Sequence, residues 1–185
     1  MAKVYIFLAD GFEEIEGLTV VDLLRRVNID ITTVSVTGKQ YVTGSHKIEV
    51  KADALFEELD FSDADMLVLP GGMPGTRYLS EHEGLDGLLK TFYASGKKLS
   101  AICAAPSVLG SKGMLQGKVA TCYPGFEEFL TGADVKNEAV IIDGEIITSK
   151  GLGTAIDFSL ALISSLAGEA EARKVAASIQ YQHYK

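Results

Sequence analysis

Lys98-Leu99-Ser100-Ala101-Ile102-Cys103-Ala104-Ala105-Pro106 carries a short apolar strand pattern straight into a cysteine and out again into a helix start. Pro106 suits the first turn of a helix, where a missing N–H goes unnoticed. A strand that turns this abruptly into a helix forces strained backbone angles and a close approach of the two elements. Small residues are then needed on either side, as in the nucleophile elbow of hydrolases. Ala101 and Ala105, two before and two after Cys103, meet that need. A buried strand followed at once by a helix is half of a parallel crossover unit, and the rest of the chain repeats the pattern.

Working outward, Lys3–Ala9 (KVYIFLA) reads as a buried strand broken by Asp10-Gly11. Glu16–Val27 places Val20, Val21, Leu24 and Val27 at helical spacing. Ile29–Val36 is a second strand, and Tyr41–Val50 a hairpin turning at Thr43-Gly44-Ser45. Asp65–Leu69 is a third buried strand, ended by Pro70-Gly71-Gly72. Leu85, Leu88, Leu89 and Phe92 mark a helix, Lys98–Ile102 is the fourth strand, and a short helix runs towards Leu115. Val119–Cys122 reads as a further strand, and Glu138–Asp143 with Glu145–Ser149 as a hairpin around Asp143-Gly144. Two helices follow, one marked by Ile156, Leu160, Ile163 and Ala167, the other over Glu169–Ile179. Buried strands alternating with helices predict a mostly parallel sheet, doubly wound in a three-layer α/β/α sandwich. Residues 1–185 read as one domain. The site is expected beyond the carboxyl ends of the strands, where Asp10–Glu16, Pro70–Gly75 and Cys103–Pro106 gather.

The net charge of −8 and the lack of a basic stripe disfavour nucleic acid and anionic membrane as partners. The first apolar run is too short to span a bilayer, and the acidic residues behind it do not fit a signal peptide. A cytoplasmic location is therefore expected. Two cysteines, Cys103 and Cys122, and three histidines suggest neither a disulfide scaffold nor a zinc site. No phosphate-binding glycine motif follows a strand, so no nucleotide cofactor is implied.

Unpaired amides and the dipole at a helix start favour an anion, so the turn is expected to ease ionisation of Cys103 below the free-thiol value of about 8.5. The alternative is a small buried hydrophobe. Gly71 and Gly72 provide backbone amides that could approach a substrate oxyanion, or simply make a tight turn. Glu13, Glu14 and Glu16 suit the first turn of a helix, and pattern alone does not separate Glu16 from its neighbours. Cys122 is a candidate resolving thiol, against a plain buried cysteine. His46 reads as an exposed hairpin residue.

Four motifs in order extend the argument: Asp10-Gly11-Phe12-Glu13-Glu14-Ile15-Glu16, Leu69-Pro70-Gly71-Gly72, Ala101-Ile102-Cys103-Ala104-Ala105-Pro106 and Thr148-Ser149-Lys150-Gly151-Leu152-Gly153-Thr154. With them the chain resembles the ThiJ/PfpI superfamily over nearly its whole length, and within it the branch of the parkinsonism-associated protein deglycase. The resemblance implies a flavodoxin-like sandwich of the class I glutamine amidotransferase type and a homodimer. It implies Cys103 as nucleophile and oxidation-sensitive thiol, Glu16 as its proton-handling partner, and the amides of Gly72 and Ala104 as an oxyanion site. Ala104 stands where the peptidase branch has a histidine, and Tyr123 where the deglycase branch often has one, which argues against peptidase activity. The resemblance implies cofactor-free chemistry on small carbonyl substrates such as 2-oxoaldehydes; the alternative is an oxidative-stress sensor or chaperone-like dimer acting through Cys103.

Overall fold

A computed structural model describes residues 1–184. Its elements in chain order are β1 (Lys3–Leu8), α1 (Glu14–Arg26), β2 (Asp30–Ser35), β3 (Tyr41–Thr43), β4 (Glu49–Lys51), β5 (Ala54–Leu55) and β6 (Met66–Leu69). There follow α2 (Gly75–Glu81), α3 (Glu83–Ala94), β7 (Lys98–Ile102), α4 (Pro106–Ser111), β8 (Val119–Ala120) and β9 (Asp134–Val135). The chain ends with β10 (Val140–Asp143), β11 (Ile146–Ser149), α5 (Ala155–Ala167) and α6 (Glu169–Ser178).

Seven strands form the central sheet in the order β10-β11-β7-β6-β1-β2-β5. All neighbours are parallel except β10 and β11, which form the expected hairpin, pairing Ile142 with Ile147. Period-two alternation along β1 divides the core. Val4, Ile6 and Leu8 join one apolar cluster with Val20, Leu24 and Phe158, whereas Tyr5, Phe7 and Ala9 join another with Leu79, Leu89 and Leu109. Helices α1, α5 and α6 thus cover one face, and α2, α3 and α4 the other. This is the predicted three-layer sandwich.

Three expectations are corrected. Helix α1 begins at Glu14, not Glu16, which puts Glu16 inside the first turn. The Val119–Cys122 strand shortens to β8, which pairs only with β9 in a separate two-stranded sheet. Lys118 and Asp143, whose carboxylate takes the Val119 amide at 2.7 Å, hold that ribbon against the sheet edge. The hairpin turn is longer than three residues: β3 and β4 pair Thr43 with Glu49, leaving residues 44–48 as the loop. Among the described residues no helix is long and apolar enough to cross a membrane.

Candidate active site

The strand ends of β1, β6 and β7 converge as a doubly wound sheet requires. At the end of β7 the backbone of Cys103 takes φ = 65°, in the left-handed region. A side chain there costs about 1–3 kcal/mol and persists only where the surroundings hold it. They do: the Cys103 amide donates to the Ser149 carbonyl at 2.9 Å, and the Cys103 carbonyl accepts from the Tyr123 amide at 2.8 Å. Ala101, Ala104 and Ala105 are all buried beside the turn, which places small side chains where strand and helix approach. The elbow inferred from small neighbours is present, and Cys103 itself is half-buried.

Glu16 reaches this sulfur from α1. Its Oε2 accepts from the Gly71 amide at 2.9 Å and its carboxyl is hydrogen-bonded to Cys103 and to the Leu152 amide. Gly71 is the spacer that allows the contact: a Cβ on it would lie 2.6 Å from both Cys103 Cβ and Glu16 Oε2. The amides of Gly72 and Ala104 both face the sulfur. The proposed oxyanion amides therefore stand together around one atom. Gly72 has φ = 91°, and a Cβ there would lie 2.3 Å from the Glu13 amide nitrogen, so glycine is required.

The electrostatics depart from expectation at the thiol. Burial pushes the Glu16 carboxyl up to about 7, aided by the Glu13 charge and opposed by its hydrogen bonds to Cys103 and Gly71. Burial, then the neighbouring Glu16 charge, pushes the Cys103 thiol up to about 12, against the amides of Ala104 and Gly72. The predicted easy ionisation thus fails while Glu16 is a carboxylate. Once Glu16 holds the proton, the repelling charge is gone and only burial opposes the two amides. The two groups are coupled and titrate as a pair.

Tyr123 is half-exposed at the mouth: a Cβ on Gly151 would lie 3.2 Å from its ring and 4.0 Å from Cys103 Sγ. Cys122 points elsewhere. It is buried in the cluster beneath α3 and α4, whereas Cys103 packs against the opposite cluster, and burial raises its thiol to about 11. It lines a depression with Glu127, Asn137 and Lys150 that does not include Cys103.

One group was not legible in sequence. His46, read as a plain exposed residue, lies with Nδ1 3.0 Å from Glu14 Oε2 and 3.5 Å from Glu13 Oε1. The His46 and Ile48 amides donate to Glu14 Oε1 at 2.8 and 3.4 Å. Donor atoms of Glu13, Glu14 and His46 lie within 4.8 Å of one another, a geometry capable of holding a cation. Residues 13 and 46 are too far apart in the chain for any spacing motif to reveal it.

Known proteins share this framework. The DJ-1/PfpI family model matches residues 2–165. Drosophila melanogaster protein dj-1beta is 35% identical over 92% of each chain. Arabidopsis thaliana protein DJ-1 homolog B is 39% identical over 94% of this chain, which spans only 40% of that protein's length. A Pyrococcus abyssi protein named a deglycase is 31% identical, over 80% of this chain and 89% of its own. Among solved structures, Toxoplasma gondii DJ-1, described as oxidized, superimposes with a TM-score of 0.95 at 36% identity, covering 99% of this chain and all of the other. A strained cysteine at a strand end, a buried glutamate against it and the family match over most of the chain lead to one conclusion: this chain belongs to the DJ-1/PfpI family.

Proposed function

We propose that the chain is a cofactor-independent enzyme acting on small 2-oxoaldehydes, with glyoxalase or deglycase-type chemistry, Cys103 as nucleophile and Glu16 as proton shuttle. The observation that carries the reading is the Glu16 carboxyl, buried, raised to about 7 and hydrogen-bonded to the Cys103 sulfur. A group poised near the working pH both gives and takes protons efficiently. The deglycase name of the Pyrococcus abyssi relative points the same way.

In this reading the Glu16 carboxylate takes the Cys103 thiol proton as the sulfur attacks the aldehyde carbon of methylglyoxal. A C–S bond forms, and the carbonyl π pair moves to oxygen, which takes the proton from Glu16. The Gly72 and Ala104 amides steady the developing oxyanion. Glu16, now a carboxylate, removes the former aldehyde hydrogen as a proton, giving an enediol. Protonation of the adjacent carbon leaves a thioester of a 2-hydroxy acid. Water cleaves it, releasing lactate and restoring the thiol, so the sum is methylglyoxal plus water to lactic acid with no oxidant.

The enzyme works in the cytoplasm as a homodimer. Ile15, Tyr41 and Ile48, each about half-exposed, form apolar surface at the start of α1 and on the β3–β4 hairpin, which suits a second copy. Light scattering that returns a monomer at micromolar concentration would remove the dimer from the account.

The test is methylglyoxal consumption and lactate formation by pure protein. Cys103→Ser is expected to abolish turnover, and Glu16→Gln to lower kcat/KM by about 100-fold or more, the usual weight of a positioned acid–base group. A wild-type protein without turnover, whose Cys103 oxidises at low peroxide, favours the second reading: an oxidant sensor or chaperone-like dimer. The oxidized state of the Toxoplasma gondii relative's structure supports that alternative.

A further inference from the structure

Helices α2 and α4 and the turn after Tyr123 enclose a groove of about 380 Å³ lined by Met73, Thr76, Arg77, Ser107, Phe126 and Phe129. Nothing in the chemistry above uses it. Three features set it apart from a random surface depression. Its wall is aromatic: the Phe126 and Phe129 rings lie 6.0 Å apart, inclined by 49°, and Phe129 is 46% exposed. Met73, 51% exposed, faces solvent with a flexible thioether that adapts to irregular apolar shapes. Thr76, only 3% exposed, has a buried hydroxyl without a hydrogen-bond partner, while its amide is satisfied by the Gly72 carbonyl at 2.9 Å. A buried unpaired hydroxyl typically costs about 1–3 kcal/mol, so a hydrogen-bonding partner at this point of the groove wall would be favourable.

Two chain segments link the groove wall to the amides at the thiol, while Cys103 itself is not part of the lining. Met73 directly follows Gly72, whose amide faces the Cys103 sulfur. Ser107 donates to the Ala104 carbonyl at 2.6 Å, and Ala104 supplies the other amide. Met73 and Ser107 thus place the groove wall one residue and three residues along the chain from the two amides at the sulfur. Arg77, whose contact to Glu81 is a loose 3.8 Å, adds a positive edge that favours oxygen-rich groups.

We propose that this groove is a specificity subsite for an aromatic substituent on the carbonyl substrate, taking aryl 2-oxoaldehydes in preference to methylglyoxal. The ring rests against Phe126, Phe129 and Met73, and an oxygen of the ligand meets the Thr76 hydroxyl. The substrate preference rests on the Cys103 carbonyl reading above; occupancy of the groove does not.

Two measurements test it. In the first, kcat/KM is compared for phenylglyoxal and methylglyoxal in wild type, Phe129→Ala and Thr76→Val. Wild type is expected to favour phenylglyoxal by about tenfold, and Phe129→Ala to erase most of that ratio, in line with the weight of one apolar pocket contact. Thr76→Val is expected to lower kcat/KM for phenylglyoxal about threefold to tenfold, as loss of a single hydrogen bond would. A ratio that is the same in wild type and Phe129→Ala overturns the proposal even if methylglyoxal is turned over well. In the second, mandelate, the hydroxy acid corresponding to phenylglyoxal, is titrated into Cys103→Ser protein while amide resonances are followed. Shifts centred on Thr76, Ser107 and Phe129, and lost in the added Phe129→Ala variant, support the subsite independently of turnover. Shifts confined to Tyr123 and Gly151, or none at millimolar mandelate, overturn it. If neither aldehyde is consumed but mandelate still marks the groove, the carbonyl reading falls and the binding site stands.

Discussion

Glu14 and Glu16 stand two residues apart in the first turn of α1, and each is 1% exposed. Burial pushes both carboxyls up, yet they end on opposite sides of the ordinary value. At Glu14 the hydrogen bonds from His46 and from the amides of His46 and Ile48 overcome burial and hold the carboxyl near 2. At Glu16 the hydrogen bonds from Cys103 and Gly71 do not, and the carboxyl rises to about 7. Equal surface exposure therefore does not set the charge of an acid: Glu16 lies deeper among protein atoms, so burial weighs more on it, and fewer donors answer that burial than at Glu14. One carboxylate ties the β3–β4 hairpin to the helix, and the other is left able to carry a proton beside a sulfur.

The largest stability effect is expected from breaking the satisfied member. A fall from 4.5 to about 2 corresponds to about 3 kcal/mol of stability, present above pH 4.5 and lost as pH drops towards 2. Glu14→Ala should cost about that much at pH 7, read from the urea midpoint; a cost under about 1 kcal/mol would show that the hairpin donors do not matter. Glu16 carries the opposite sign. Between pH 4.5 and 7 the folded chain holds a proton that the unfolded chain has lost, so stability falls as pH rises through that window. Glu16→Gln keeps an oxygen for the Gly71 amide and removes the charge. It should stabilise by about 3 kcal/mol at pH 8 and change little at pH 4.5. Equal effects at both pH values would break the comparison.

Smaller effects sharpen it. Gly71→Ala forces a methyl into the space between Glu16 and Cys103 and should cost about 1–3 kcal/mol. Gly87→Ala, on α3 with open space around the added methyl, should gain about 0.5–1 kcal/mol. Thermal midpoints of the two variants that move together would deny the close packing at Gly71. The smallest effect belongs to His46, which is 67% exposed. Its hydrogen bond to Glu14 and the Glu13 charge raise its proton affinity, so its contribution is full below pH 6.5 and fades as pH rises through the shifted value. His46→Asn should flatten the stability profile in that window, and an unchanged profile would remove His46 from the cluster.

Much of this was readable in the residues themselves. The runs at Lys3, Asp65 and Lys98 are largely apolar on both sides because parallel strands are covered on both faces, and Ile29–Val36, with Asp30, Thr32, Thr33 and Ser35, reads as a strand from its β-branched residues, so the sheet followed. Cys103 stood out because alanines stand two residues before and two after it at a strand-to-helix turn. Helix α2 escaped notice because it opens on Pro74-Gly75, which reads as a continued turn, and two-residue β5 is too short for any periodicity. Glu16 could be told from Glu13 and Glu14 only by family resemblance, since its distinguishing partner, the Gly71 amide, lies 55 residues away. The easy ionisation expected for Cys103 considered the helix start and missed the cost of burying the sulfur beside a carboxylate.

The most direct test follows the side-chain carboxyl carbons of glutamate by NMR across pH 1.5–9, with Glu14→Gln and Glu16→Gln assigning the two signals. The account predicts one buried carboxyl titrating near 2 and the other near 7. A Glu16 signal that titrates at or below 4.5, with the surface glutamates, would contradict it and leave Cys103 without its proton-carrying neighbour at neutral pH.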